Sequence, residues 1–359
     1  MSAKKNDDRK SVVILDASKY ALTLIEARPY RIILPASLRM VVSEADSLGT
    51  TSGALVPLDK IFVDGKGELI HDSLQEVDPE QKLLTLDSGR TVQYDILILA
   101  TGLTWTGPIA FPNAAEEVQE YVKNRREEFT KAQSYVLVGG GAVGCELAGE
   151  IKDIFPNKAV TIVHGQHLLL NDTYSERYRR RVATDLAKRG VNLQLGEVAT
   201  VSDDATSVST PSGKTISASL VLKTSGASGP NTAFLRTLKF SGALTDAGFV
   251  KVRPTLQLVD HPDIFAVGDI VEWAEQKQAF KAQFHAAVVV KNVVALSKNA
   301  DAKLKNYSTM FEAVFLTNGK HDGSTYLGFL WGLIFGGWVT RMLKSRDLLV
   351  GRFRKDAGL

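Results

Sequence analysis

Residues 135–151 read YVLVGGGAVGCELAGEI. The apolar run Tyr135–Val138 leads into Gly139-Gly140-Gly141-Ala142-Val143-Gly144, which fits G-x-G-x-x-G. A glycine motif alone is common; one that leaves a strand and opens a helix has a mechanism behind it. Gly139 permits the tight turn, Gly141 lets the backbone approach a pyrophosphate, and Gly144 lets the helix pack close to the strand. The helix start then offers free N–H groups and a positive dipole end to the phosphates. The stretch therefore predicts the strand–turn–helix unit of a dinucleotide-binding α/β domain.

The next strand, Ala159–Val163, ends at His164. In such units an acid about 20 residues past the glycines binds the ribose 2′-hydroxyl. Here the residues are His164, Gly165, Gln166 and His167, so no carboxylate repels a 2′-phosphate. NADH and NADPH are both admissible, and His164 also reads as a plain strand end in solvent. Cys145 is the single cysteine, which excludes a disulfide framework and a redox-active pair. It reads as a small buried hydrophobe in a protein made in a reducing compartment.

A second, partial version of the pattern lies at residues 11–26, SVVILDASKYALTLIE. Val12–Leu15 and Ala21–Glu26 both look like strands, and the second ends in an acid. Between them stand five residues, Asp16–Tyr20, which reach at most about 18 Å fully stretched. A five-residue strand is itself roughly 17 Å long, and a parallel crossover usually needs about a dozen residues. Val12–Leu15 is thus expected to pair antiparallel, to lie at an edge, or to leave the sheet. Compared with the intact unit, a glycine loop and helix on the order of 20 residues are missing.

Elsewhere, residues 53–102 alternate apolar and polar positions between Asp-Gly, Asp-Pro and Ser-Gly turns, the pattern of antiparallel hairpins. They end in Ile96–Ala100, apolar on both faces and expected in a sheet centre. Helices are expected at Pro112–Lys131, Glu176–Arg189 and Gln278–Ser297, and IFAVGD at 264–269 reads as strand then turn. The 359 residues are 44% hydrophobic and 23% charged, enough for two or three domains. A net charge of +3 argues against a nucleic-acid partner, and no metal site is expected. The opening MSAKKNDDRK has no apolar core for a secretory signal, and Ser2 does not suit N-myristoylation. A cytoplasmic location, or one peripheral on an intracellular membrane, is expected.

Four stretches in this order carry a family resemblance: TVQYDILILATG at 91–102, the glycine loop with Glu146-Leu147-Ala148 behind it, TSGASGPNT at 224–232, and HPDIFAVGD at 261–269. Over roughly residues 11–300 the chain resembles the two-dinucleotide-fold flavoprotein oxidoreductases. Within them it is most similar to the apoptosis-inducing-factor-like branch that includes ferroptosis suppressor protein. The resemblance implies an α/β fold of two Rossmann-like domains. An FAD domain, 1–105 and 219–300, is interrupted by an NAD(P)H domain, 106–218, and followed by an α+β extension, 301–359.

It also implies roles. Ala100-Thr101-Gly102 would lie against the flavin nucleotide, and Gly268-Asp269 would meet the ribityl chain and pyrophosphate. Asp269 also suits a helix N-cap. Glu26 matches the ribose-binding acid, and Gly226 belongs to the cofactor-binding set. Arg39, in Pro35–Arg39, matches the segment beside the isoalloxazine. Lys281 and His285 fall near its pyrimidine end, where a cation would stabilise charge on reduced flavin; His285 reads equally as a packed helix histidine. Glu146 would face the nicotinamide–flavin stack, though an acid in a helix's early turns is favoured by the dipole alone.

The implied reaction passes a hydride from NAD(P)H to FAD and electrons onward. One cysteine rules out the paired thiols of the disulfide reductases in this superfamily, so a quinone-like acceptor is expected. FAD binding should be weakened by the missing loop, with a flavin-deficient NAD(P)H-binding relative as the alternative. The tail STYLGFLWGLIFGGWVT, 324–340, is uncharged, aromatic, and followed by Arg341, Lys344 and Arg346. It is marginal for spanning a bilayer and better suited to interfacial contact through 324–346, or to packing on the FAD domain or a homodimer partner.

Overall fold

Residues 17–20 separate two strands, β1 (Val12–Asp16) and β2 (Ala21–Ile25), and the two run antiparallel. In this computed structural model, residues 12–16, 21–44, 53–62, 66–329, 331–357 and 359 are described; the connection 17–20 lies outside them. Of the three arrangements the short connection left open, the antiparallel pair is the one formed. Val12 faces Ile25 and Asp16 faces Ala21.

The chain forms two units, each continuous in space and not in sequence. The first comprises Met1–Pro29, Leu58–Trp105 and Ala227–Met310. Its main sheet adds β3 (Glu68–Ile70), β4 (Ile96–Leu99) and β5 (Ile264–Ala266), in the order β5-β4-β1-β2-β3. β5 is parallel to β4 and β2 is parallel to β3, while β1 runs against both its neighbours. All four residues of β4 are buried, as expected of a two-sided apolar strand. In β2, Leu22, Thr23 and Leu24 are only partly buried. The alternating stretch after β3 forms an antiparallel meander, Leu74–Asp78, Leu83–Leu86 and Thr91–Gln93, burying Leu74, Val77, Leu84 and Leu86. The helix Ala279–Lys298 buries Lys281, His285, Val289, Asn292 and Val293, a stripe at three- and four-residue spacing.

The second unit comprises Tyr30–Pro57, Thr106–Gly226 and Phe311–Leu359. Four parallel strands stand in the order Val191–Leu195, Ala159–His164, Ser134–Val138, Leu220–Lys223. A three-stranded antiparallel ribbon, Thr200–Val201, Ser207–Ser209 and Thr215–Ser217, is inserted before the last. The C-terminal segment makes its own antiparallel sheet, Ala313–Thr317, Gly323–Leu327 and Leu333–Phe335, then short helical turns from Gly337 to Ser345 and a helix Val350–Asp356. No helix of the described residues is long and apolar enough to cross a membrane.

Helix Ala142–Ile154 is the hub of this unit. Glu150 on it is buried and takes a two-pronged hydrogen bond from Arg39, Nε to Oε2 at 2.8 Å and Nη2 to Oε1 at 2.9 Å. Arg39 lies on helix Leu34–Val42 and also donates to the carbonyl of Ser345 at 2.9 Å. Burial lifts the Glu150 carboxyl above its ordinary pKa while the guanidinium pulls it back. Three distant segments thus meet at one buried ion pair. Glu150→Ala takes this carboxylate partner from a buried guanidinium and is expected to lower stability by about 3–5 kcal/mol in urea unfolding. The paired exchange Arg39→Met with Glu150→Leu should cost far less; equal losses from the two would show that desolvation of the pair does not govern this site.

Candidate functional site

In the second unit, strand Ser134–Val138 runs into Gly139 at φ +121°. A Cβ on Gly139 would stand 2.7 Å from the backbone of Thr224 and Ser225, and one on Gly144 would stand 2.0 Å from the Gly139 carbonyl. Both positions therefore require glycine. Gly141 is the N-cap of helix Ala142–Ile154 and receives no side-chain cap. A Cβ there would meet nothing within 4 Å, so open space lies against the uncapped helix start. Uncapped N–H groups facing open space suit an anionic diphosphate. The residues present fit the pyrophosphate of a dinucleotide. Gly226, at φ +97°, follows the Thr224-Ser225 backbone that closes against Gly139, and its carbonyl accepts the Thr106 hydroxyl at 2.9 Å.

His164 ends its strand as expected, with its ring turned to the loop. Its Nδ1 accepts the Gly140 N–H at 3.1 Å and its Nε2 lies 3.2 Å from the Leu170 carbonyl. This pairing assigns the proton to Nε2. Burial holds the imidazole below its ordinary pKa, with Arg179 adding to the effect. Arg179 is itself buried and donates to the carbonyls of Leu168 and Leu169 and to Gln166 Oε1, ordering the chain after the strand.

Glu146 and Cys145 sit in the first turns of the same helix. The Glu146 carboxylate accepts the Thr317 N–H at 2.9 Å and the Lys344 ammonium at 2.6 Å, so it is engaged by the C-terminal segment. Arg39 is likewise engaged by Glu150. The Cys145 thiol is buried, contacts the Gly140 carbonyl at 3.5 Å, and burial pushes its pKa upward. A thiol so placed is not a nucleophile at neutral pH.

In the first unit, the carboxyl ends of β4 and β5 carry the other predicted residues. Thr101, after Ala100, is buried and donates to the Asn231 carbonyl at 2.6 Å; Gly102, at φ +67°, accepts the Asn231 N–H at 2.9 Å. Gly268 adopts φ +73°, and its N–H donates to His285 Nδ1 at 3.1 Å. Asp269 lies in the 3-10 turn Gly268–Ile270. His285 Nε2 in turn lies 3.1 Å from Glu275 Oε1, while Glu275 Oε2 accepts the Tyr307 hydroxyl at 2.8 Å and stands 4.0 Å from Lys281 Nζ. Burial lowers the His285 pKa, and the Glu275 carboxylate partly restores it. Lys281 and His285 are legible in the sequence, whereas Glu275 and Tyr307 are not: neither lies in a motif, and Tyr307 is 32 residues from its partner.

Glu26 ends β2, its N–H on the Ile70 carbonyl at 3.0 Å and its Oε1 accepting the Arg28 N–H at 3.3 Å. Between Glu26 and Gly102 stands β1, reversed. Its first residue, Val12, pairs with Leu99 and Ile25 at the edge where the neighbouring strands end. Asp16, its carboxyl end, lies at the opposite edge. No glycine turn or helix start follows β1 among the described residues. The acids and glycine turns suit a flavin's hydroxyls and ring, and the uncapped Gly268–Ile270 turn is what the described residues offer its pyrophosphate.

A glycine-loop nucleotide unit together with a second sheet bearing Ala-Thr-Gly and Gly-Asp turns defines a pyridine-nucleotide oxidoreductase. The chain belongs to the pyridine nucleotide-disulphide oxidoreductase family, whose pattern matches residues 19–295. FAD-dependent oxidoreductase FVFD30 of Flammulina velutipes is 42% identical over 322 residues, covering 89% of this chain and 99% of that one. Apoptosis-inducing factor homolog B of Dictyostelium discoideum is 28% identical over 362 residues, covering 94% and 90%. Among solved structures, the sulfide:quinone oxidoreductase of Aquifex aeolicus superposes with a TM-score of 0.73 at 18% identity, covering 93% of this chain and 85% of that one. The expected fold class and its apoptosis-inducing-factor-like affinity are thereby met.

Protonation of His164 would turn the acceptor of the Gly140 N–H into a donor. Its depressed pKa keeps the ring neutral above the ordinary imidazole value of about 6.5. NADH affinity, read by fluorescence titration, is expected to be constant from about pH 8 to about pH 7 and to fall below about pH 6.5. His164→Ala should weaken binding at neutral pH by about threefold to tenfold and flatten that profile. An unchanged profile in the variant would assign the dependence to another group.

Proposed function

We propose that the chain is an NAD(P)H oxidoreductase that uses FAD and delivers electrons to a quinone-like acceptor. The observation that carries this reading is the intact Gly139–Gly144 loop together with the buried Gly268–His285–Glu275–Lys281 constellation. Flavin, when bound, supplies the two-electron chemistry; the protein binds, orients and tunes. The helix start at Gly141 would hold the nucleotide's diphosphate, Gly139 and Gly144 give the turn and the close packing that place it, and His164 keeps the loop in shape. Gly102 admits close backbone approach, Asp269 accepts from a polyol hydroxyl, and Lys281 offers positive charge held in place by Glu275. With Cys145 buried and alone, the acceptor is not a disulfide.

FAD is held weakly in this reading, because among the described residues no glycine loop and helix start stand between Glu26 and Gly102 to cradle its diphosphate. A hydrogen bond to a charged group contributes about 1.5–3 kcal/mol, so losing two weakens binding on the order of a hundredfold or more. The reversed β1 also favours a second reading, a chain that binds NAD(P)H and does not turn over. Flavin absorbance of the purified protein separates them, followed by NADH oxidation with a soluble quinone at rising FAD. Substoichiometric flavin and activity that saturates with added FAD are expected. A colourless protein unresponsive to FAD, yet still binding NADH, supports the second reading and sinks the first.

A further inference from the structure

The turns Gly337–Ser345 in the C-terminal segment of the second unit are amphipathic in the inverted sense. Its inward face is polar: Thr340 and Ser345 are fully buried, the Thr340 hydroxyl lies 2.9 Å from that of Thr325, and the Ser345 hydroxyl donates to the Asp322 carbonyl at 2.9 Å. Lys344 is held by Glu146 and by the Phe315 carbonyl at 3.0 Å. Its outward face is apolar. Trp331 is 100% exposed, Trp338 76% and Met342 62%. Trp338 and Met342 are four residues apart on consecutive helical turns and share a face. Leu333 and Phe335 project from the edge strand of the C-terminal sheet, both more than a third exposed.

The turn that presents Trp331 is itself constrained. Trp331 adopts φ +61° and Gly332 φ +81°, and a Cβ on Gly332 would press 2.9 Å from the Tyr326 ring. A bulky residue in the left-handed region is a genuine outlier, here holding an indole fully in water. Soluble proteins rarely assemble large exposed apolar side chains this way without something to cover them.

We propose that this face docks on an anionic lipid surface, with Trp331, Trp338 and Met342 inserted at the headgroup boundary and Arg341 and Arg346 on the phosphates. The charge supports this occupant. Residues 331–359 carry six lysines and arginines against two acids, Asp347 and Asp356, and with Lys344 paired to Glu146 five bases remain. Arg341 and Arg346 are exposed beside the apolar side chains. A two-fold interface with a second copy would face this positive patch with itself. Tryptophan prefers the membrane interface, and a segment of short turns lies in that plane without spanning it. The proposal stands independently of turnover.

Co-sedimentation of the full chain with phosphatidylcholine vesicles, with or without phosphatidylserine, tests it. Binding is expected to the anionic vesicles and to weaken as salt rises. Trp331→Ser with Trp338→Ser should weaken it by about tenfold, and Arg341→Ala and Arg346→Ala by about fivefold each, with NADH affinity unchanged as the control for folding. Absence of vesicle binding overturns the proposal, as does binding that ignores the tryptophan pair. A dimer in sedimentation velocity that the tryptophan variant dissociates, without vesicle binding, assigns the face to a second copy instead.

Discussion

The reach of four residues decides the first unit. Ala17–Tyr20 cannot carry the chain back along a strand and sideways to start a parallel neighbour, so β1 turns and pairs antiparallel. The hydrophobic sheet tolerates the reversal: β1 still fills the place between β4 and β2 and bonds to both. The chemistry does not carry over in the same way. A parallel β1 would bring its carboxyl end, and whatever loop followed it, to the edge where Glu26, Gly102 and Gly268 gather. The reversed strand brings its amino end there instead. Sheet stability depends on pairing and burial, while phosphate binding depends on which end of a strand arrives.

Packing in the same unit is uneven across the sheet. In doubly wound sheets, crossover helices cover the strands on both faces. β4 is buried throughout, yet Leu22, Thr23 and Leu24 of β2 are only partly buried. The outward side of helix Ala279–Lys298 leaves Phe284 43%, Val290 57% and Val294 42% exposed. The unit retains a large core around Leu97, Leu99, Phe265 and Val289.

Much of this was legible in the sequence because it is local. The G-x-G-x-x-G loop, the meander and the central strand are read from spacing within a few residues, and the structure forms each of them; the shortness of the connection before Ala21 is read the same way, and the strands on either side of it pair antiparallel. His164 was legible by position but not by orientation, since its partner is a glycine amide 24 residues earlier. Glu146 and Arg39 were less legible still. Their partners, Lys344, Thr317, Glu150 and Ser345, lie 111–306 residues away, and no periodicity encodes such pairs. Glu275 escaped notice because a buried carboxylate in a loop looks, in sequence, like any solvated acid.

Glu146 and Glu150 stand four residues apart on helix Ala142–Ile154 and so share one face. Each is buried and holds a base from a different segment, Lys344 from the C-terminal turns and Arg39 from helix Leu34–Val42. The helix whose N-terminus serves the glycine loop is thus clamped along its length by two ion pairs within its own unit. Charges this deep are costly to separate, so the helix start, and the N–H groups it presents, are fixed by contacts made far from the loop. None of those contacts depends on β1. The reversal of β1 in the first unit therefore leaves the contacts that fix the nucleotide loop of the second in place.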